Sequence, residues 1–167
     1  STPLGDTITF VQHYDIASLH IDDPKIDITA YCAMHHIDKV NLEQCIFFDI
    51  ETTSLTSGTG NYAFLIGLGY FSGNIFTVEQ IFLQQYSDEP AMLFHCAKIL
   101  NKFKTIVTFN GKTFDIPIIK NRYRLNRIQG FPVATSVIDL LKPARSIFKS
   151  IYASCSLKSL EELLLGI

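Results

Sequence analysis

The sequence predicts an α/β domain on a mixed five-stranded sheet whose first three strands are antiparallel. Three observations carry this prediction. Apolar runs of strand length recur at "CIFFDIE" (45–51), "YAFLIGLGYF" (62–71), "IFTVEQIFLQQ" (75–85), "TIVTFN" (105–110) and "ATSVIDLL" (134–141). Ser72-Gly73-Asn74 reads as a hairpin turn between the second and third runs. Helical patterns separate the later runs, so the order is β-β-β-α-β-α-β-α, with helices covering the faces of the sheet in three layers.

Each element has its local reason. Residues 1–44 are polar and acidic and read as an N-terminal extension packing on a domain of residues 45–167. Within them "ITFVQHYDI" has the alternation of an edge strand, whereas "PKIDITAYCAMHHIDKVNLEQ" has no clean period and reads as loop with one helical turn. "SGTGN" (57–61) is a glycine turn after the first core strand. After "SDEP", where Ser87 or Asp88 caps and Pro90 suits a first turn, Leu93, Cys96/Ala97, Leu100 and Phe103 line one helical face. Lys102 and Lys104 follow at its C-terminal end, where cations are favoured. "DIPIIKNRYRLNR" is a second helix with Pro117 near its start. "KPARSIFKSIY" is helical or irregular. Ser156 opens a last helix, "LKSLEELLL", although Ser159 with Glu162 makes a better capping box than Ser156 with Ser159.

Composition narrows the function. The 167 residues, 47% of them hydrophobic, suffice for one packed core. No apolar window reaches membrane-spanning length, and the N-terminus lacks signal-peptide features. Cys32, Cys45, Cys96 and Cys155 fit no zinc spacing and read as reduced thiols of a cytoplasmic protein. His13, His20, His35, His36 and His95 read as ordinary surface or half-buried histidines. Charge is uneven along the chain. Residues 1–100 hold three Lys/Arg against twelve Asp/Glu, while residues 101–160 hold eleven Lys/Arg against Asp115 and Asp139 alone. A basic half beside carboxylates suits a polyanionic ligand, although two solvated faces would look the same.

The acids in "CIFFDIETTSL" (45–55) carry the chemistry. Residues two apart on a strand face the same way, with Cα atoms about 6.5–7 Å apart. Asp49 and Glu51 therefore project together from the C-terminal end of a central strand, the end where α/β sheets form their sites. Such a pair repels unless a cation or a proton intervenes, and carboxylates suit Mg²⁺ or Mn²⁺. Two such ions about 3.5–4 Å apart can activate water and stabilise the leaving oxygen of a phosphodiester. "FNGKTFD" ends the next strand and opens a helix at Asp115, which reads either as an N-cap or as a third acid near Asp49. Lys112, Lys120, Arg122, Arg124, Arg127, Lys142 and Arg145 are candidate phosphate contacts. Tyr62 and Tyr123 offer faces on which bases can stack, and Phe114 reads first as a core residue.

Three ordered motifs, "FFDIETTSLTSGTGNYAFLIGLGYF", "TFNGKTFDIPIIKNRY" and "IDLLKPARSIF…SCSLKSLEELLLGI", resemble the YprB-like branch of the ribonuclease H-like, DnaQ-type (DEDD) exonucleases over residues 44–167. The resemblance implies two-ion hydrolysis at a 3′ end, with a single-stranded nucleic acid, DNA or RNA, as substrate. By position it implies Asp49, Glu51 and Asp115 as catalytic and metal-binding acids and Asp139 as a supporting acid. Thr52 and Thr53 fall where the family's loop meets the terminal nucleotide and Asn110 matches the polar residue of the second motif, with Asn110, Lys112 and Arg122 taken as further substrate contacts. The family's third motif, a fourth acid preceded by His or Tyr, has no counterpart before Ile167. The expectation is thus a domain truncated before its last motif, with an incomplete Mg²⁺ or Mn²⁺ site and weakened cleavage. The rival expectations are a non-cleaving nucleic-acid-binding domain and an endonuclease on the same fold.

Overall fold

Six strands, not five, pair in one open mixed sheet in the computed structural model, which describes residues 2–19, 41–54, 60–129, 131, 136–164 and 166. They are β1 (Ile8–Asp15), β2 (Cys45–Thr52), β3 (Ala63–Ser72), β4 (Ile75–Phe82), β5 (Thr105–Thr108) and β6 (Ser136–Asp139), in the order β1-β4-β3-β2-β5-β6. The added strand is β1, paired antiparallel to β4 from Ile8 opposite Phe82 to Asp15 opposite Ile75. As an edge strand with exposed side chains on both faces, it lacks the apolar run that marks the others. Short turns at Ile16–Leu19 and Leu42–Gln44 flank residues 20–40 of the expected N-terminal extension, which lie outside the described residues with Cys32, His20, His35 and His36. So do most residues of the "SGTGN" turn.

The β3–β4 connection is a tight hairpin in which Ser72 faces Ile75 and Gly73 takes φ +57°, a left-handed conformation that glycine accepts without strain. β2 runs antiparallel to β3 and parallel to β5, and β5 runs parallel to β6. Among the described residues α1 (Glu89–Leu100), α2 (Asp115–Leu125), α3 (Leu141–Phe148) and α4 (Leu157–Leu164) complete the fold. Ser156 opens and caps α4 as expected: the Ser159 N–H donates to Ser156 Oγ at 3.2 Å. The helix starts at Leu157, which leaves Ser159 inside its first turn.

Alternation along β2 separates two faces. Ile46, Phe48 and Ile50 are buried in the main core with Met92, Leu93, Cys96, Ile99 and Leu100 of α1 and Ile116, Ile119 and Tyr123 of α2. Cys45 and Phe47 point the other way, into a smaller cluster with Val107 and Ile138. Leu157 at the start of α4 shares a cleft with Phe47 and Gly67, which places that helix on this second face. The same alternation carries Asp49 and Glu51 onto it as well.

Candidate active site

The site lies where β2 and β5 end side by side. Phe47 pairs with Val107, so the two strands leave the sheet together, one into Asp49-Ile50-Glu51 and the other into the turn that opens α2. Asn110 takes φ +65°, which asparagine tolerates better than most residues, and reverses the chain there. Asp139, at the end of neighbouring β6, braces the turn. Its carboxylate accepts the backbone N–H groups of Asn110 (2.8 Å), Lys112 (3.1 Å) and Leu141 (3.0 Å). The turn then delivers Asp115 as the first residue of α2, with Phe114 rather than Asp115 in the capping position.

Gly111 is the tightest point of this turn. A Cβ there would overlap Thr108 Oγ1 and come within 2.5 Å of Asp115 Oδ2, so the Asp115 carboxylate fills space that only glycine leaves open.

The electrostatics show which acids converge. Burial, then the charges of Asp49 and Asp139 and, more weakly, Glu51, push the Asp115 carboxyl up to about 6. The Thr108 hydroxyl pulls the other way; it is buried beside Asp115 without a well-formed hydrogen-bond partner. Asp49 is also raised above the ordinary carboxylate range, by partial burial and by Glu51, and the backbone hydrogen bond at Ile50 offsets part of this. Asp49 remains exposed, so its shift is screened by water. Four acids thus feel one another at one end of the sheet. Among the described residues, however, no three His, Cys, Asp or Glu side chains form a group that could hold a metal ion as they stand. The donor set fits Mg²⁺ or Mn²⁺ in chemistry and charge, in an open rather than a closed arrangement.

The residues expected around the substrate divide. Lys112 and Asn110 lie on the turn, with the Lys112 side chain exposed. The Thr52 and Thr53 hydroxyls are engaged within their own loop. Thr52 Oγ1 donates to the Ser54 carbonyl (2.8 Å), and Thr53 Oγ1 accepts from the Tyr62 N–H (3.1 Å). Arg122 corrects its expectation. It is 5% exposed and locked onto Glu89, Nε to Oε1 at 2.5 Å and Nη2 to Oε2 at 2.6 Å, because α2 turns this residue toward α1 rather than toward solvent. Tyr123 is likewise no stacking platform, since it is buried and its hydroxyl donates to the Leu93 carbonyl. Phe114 reverses the other way: it is 51% exposed next to Asp115, because it precedes α2 instead of lying on its core face. His95 Nε2 lies 2.6 Å from Glu79 Oε1 and ties α1 to β4, away from the acids.

One contributor carries no distinctive signal in the sequence. Asn61, 3% exposed, accepts the Ser54 N–H (3.0 Å) and donates to the Ser54 carbonyl (2.6 Å), closing the loop that follows the paired acids. Its sequence signal was an asparagine at the end of a glycine turn, which a simple turn explains equally well.

A family model of the RNase H superfamily matches residues 46–167, a span that contains every acid of this site. Over 129 residues the chain is 35% identical to "Uncharacterized protein YprB" of Bacillus subtilis (strain 168), covering 76% of this chain and 31% of that protein. The chain therefore spans about a third of the length of this relative. The order of the strands, the acids at the ends of β2 and β6 and at the start of α2, and these matches agree: the chain belongs to the RNase H superfamily, as a YprB-like, RNase H-like domain.

Proposed function

We propose that this domain is a divalent-metal-dependent nuclease of the DnaQ-like type that removes nucleotides from the 3′ end of single-stranded nucleic acid. The observation that carries the reading is the parallel pairing of β2 with β5, whose following turn sets Asp115 beside the end of β2 that bears Asp49 and Glu51, close enough for their charges to raise its carboxyl. Carboxylates held together against their own repulsion are a site that a cation stabilises. Asp49, Glu51 and Asp115 would hold Mg²⁺ or Mn²⁺, which when bound supplies Lewis-acid stabilisation of a phosphodiester and an activated water. Asp139 holds the turn that presents Asp115 and contributes negative charge nearby. Asn110 and the exposed Lys112 stand beside the acids as polar and cationic contacts, and the exposed Phe114 ring is open to a base. The thiols of Cys96 and Cys155, which form no disulfide, suit the reducing, cytoplasmic setting that we assign. No helix among the described residues is long and apolar enough to cross a membrane.

The open arrangement of the acids favours a second reading, a nucleic-acid-binding domain on the same fold that does not cleave. Digestion of 5′-labelled and 3′-labelled oligonucleotides with Mn²⁺ or Mg²⁺ separates the two. The nuclease reading expects metal-dependent shortening from the 3′ end, lost in Asp49→Asn and in Asp115→Asn. Tight binding without cleavage in either metal would sink it in favour of the binding domain.

A further inference from the structure

A groove outside the acid cluster has the chemistry of a polyanion site. It encloses about 800 Å³ between α3 and the segment leading into α4. Arg145 and Lys149, four residues apart and therefore on one side of the α3 helical path, both line it and are exposed. Half-buried Tyr152 follows one turn later, Ser154 and Cys155 face the same space, and among the described residues no Asp or Glu lines it. Its near end is formed by Phe109 and Asn110, at the turn after β5. Phe109 and Leu157 also line a second cleft, of about 350 Å³, that contains Asp49. The two clefts meet at those two residues.

We propose that this groove is a track for the backbone of single-stranded nucleic acid, leading toward the acid cluster. Arg145 and Lys149 each neutralise one phosphate, and Tyr152 stacks on a base. Two cations, an aromatic face and no opposing carboxylate are what a single strand requires, since its phosphates give affinity and any base offers a π-face. A duplex would need a wider basic surface than these two side chains provide. The proposal deepens the nuclease reading and rests on it for the role of the acids at the end of the track.

The test measures binding of fluorescent oligo-dT and oligo-U in chelator, from 50 to 200 mM salt, by anisotropy. Each phosphate contact to a single strand contributes a slope of about −0.7 in log affinity against log salt. The Arg145→Gln/Lys149→Gln variant should flatten the slope by about 1.4, so that its disadvantage relative to the parent shrinks about sevenfold across that range. Tyr152→Ala should weaken binding about fivefold or more at every salt concentration. Lys102→Gln/Lys104→Gln, exposed cations at the opposite end of β5, is the charge-matched control and should leave the slope unchanged. Site-resolved alkylation adds a readout independent of affinity, since bound oligonucleotide should slow modification of the Cys155 thiol severalfold in the parent. If the parent binds with the same slope as the groove variant, or if the control flattens it equally, the track is wrong and the nuclease reading stands. If the parent binds neither oligonucleotide at any salt concentration, both fall.

Discussion

Arg122 and Glu89 form a bidentate ion pair buried between α2 and α1, at 5% and 2% exposure. The pair is part of a larger brace. Asn126 Nδ2 donates to Glu89 Oε2 at 2.7 Å, and the Arg122 guanidinium lies 3.9 Å from the centre of the Tyr62 ring. The Tyr62 carbonyl in turn accepts the Thr53 N–H at 2.9 Å. A buried arginine therefore reaches, through one aromatic ring, the loop that follows the paired acids. Arg122→Ala should cost about 3–5 kcal/mol in denaturant unfolding, the usual penalty for leaving one member of a buried pair uncompensated. Replacing Arg122 and Glu89 together by methionine should recover most of that loss. A single substitution costing under about 1 kcal/mol would mean that water reaches the pair.

Asn61 holds the same loop from the other side, so its removal tests whether the loop matters to the acids. Asn61→Ala removes the amide that accepts the Ser54 N–H and donates to the Ser54 carbonyl, two part-buried hydrogen bonds of about 0.5–1.5 kcal/mol each. If the loop positions substrate, cleavage should fall further than the lost stability accounts for at a temperature where the variant is fully folded. Activity that follows the folded fraction alone would assign Asn61 to stability.

Much of this was legible in the sequence, and the failures have physical causes. β2 to β6 announced themselves because each buries at least one face and carries a dense apolar run of strand length, and the hairpin at Gly73 did so through its turn residues. The closeness of Asp115 to Asp49 followed from one assumption, that their strands are parallel neighbours, which the β2–β5 pairing shows. Residue type misled at Arg122 and Phe114. A charge on a helix is exposed unless a partner on another helix buries it, and Glu89 lies 33 residues away in sequence. Phe114 is apolar but stands just before α2, where the helical period that sorts core from surface has not begun.

Gly111 is a direct test of the turn. Gly111→Ala drives a methyl group into Thr108 Oγ1 and toward Asp115 Oδ2, so either the turn or the carboxylate must move. Overpacking of this kind costs about 1–3 kcal/mol. The larger expected effect is on metal: the variant should stay folded yet lose most of the rise in melting temperature that Mn²⁺ gives the parent. An unchanged Mn²⁺ response would show that the acid does not depend on the space that glycine leaves.

The pH dependence of stability follows from Asp115, and its sign is opposite to that of a salt-bridged acid. The folded chain holds this proton with a pKa of about 6, above the ordinary value of 3.8 that applies when the chain is unfolded. The protonated form therefore favours folding. Its contribution is complete below about pH 3.8 and is lost as the pH rises through about 6. In chelator, Asp115→Asn, which carries no charge at any pH, should gain stability relative to the parent between pH 4 and pH 6, and the difference should level off above that. Metal reverses the order at neutral pH. Mn²⁺ binds only the deprotonated carboxylate, so its stabilisation of the parent should grow as the pH passes 6 and be absent from the variant. Parallel melting curves for parent and variant from pH 4 to pH 8, with and without Mn²⁺, would show that Asp115 is an ordinary solvated acid. The electrostatic basis for a metal site would go with it.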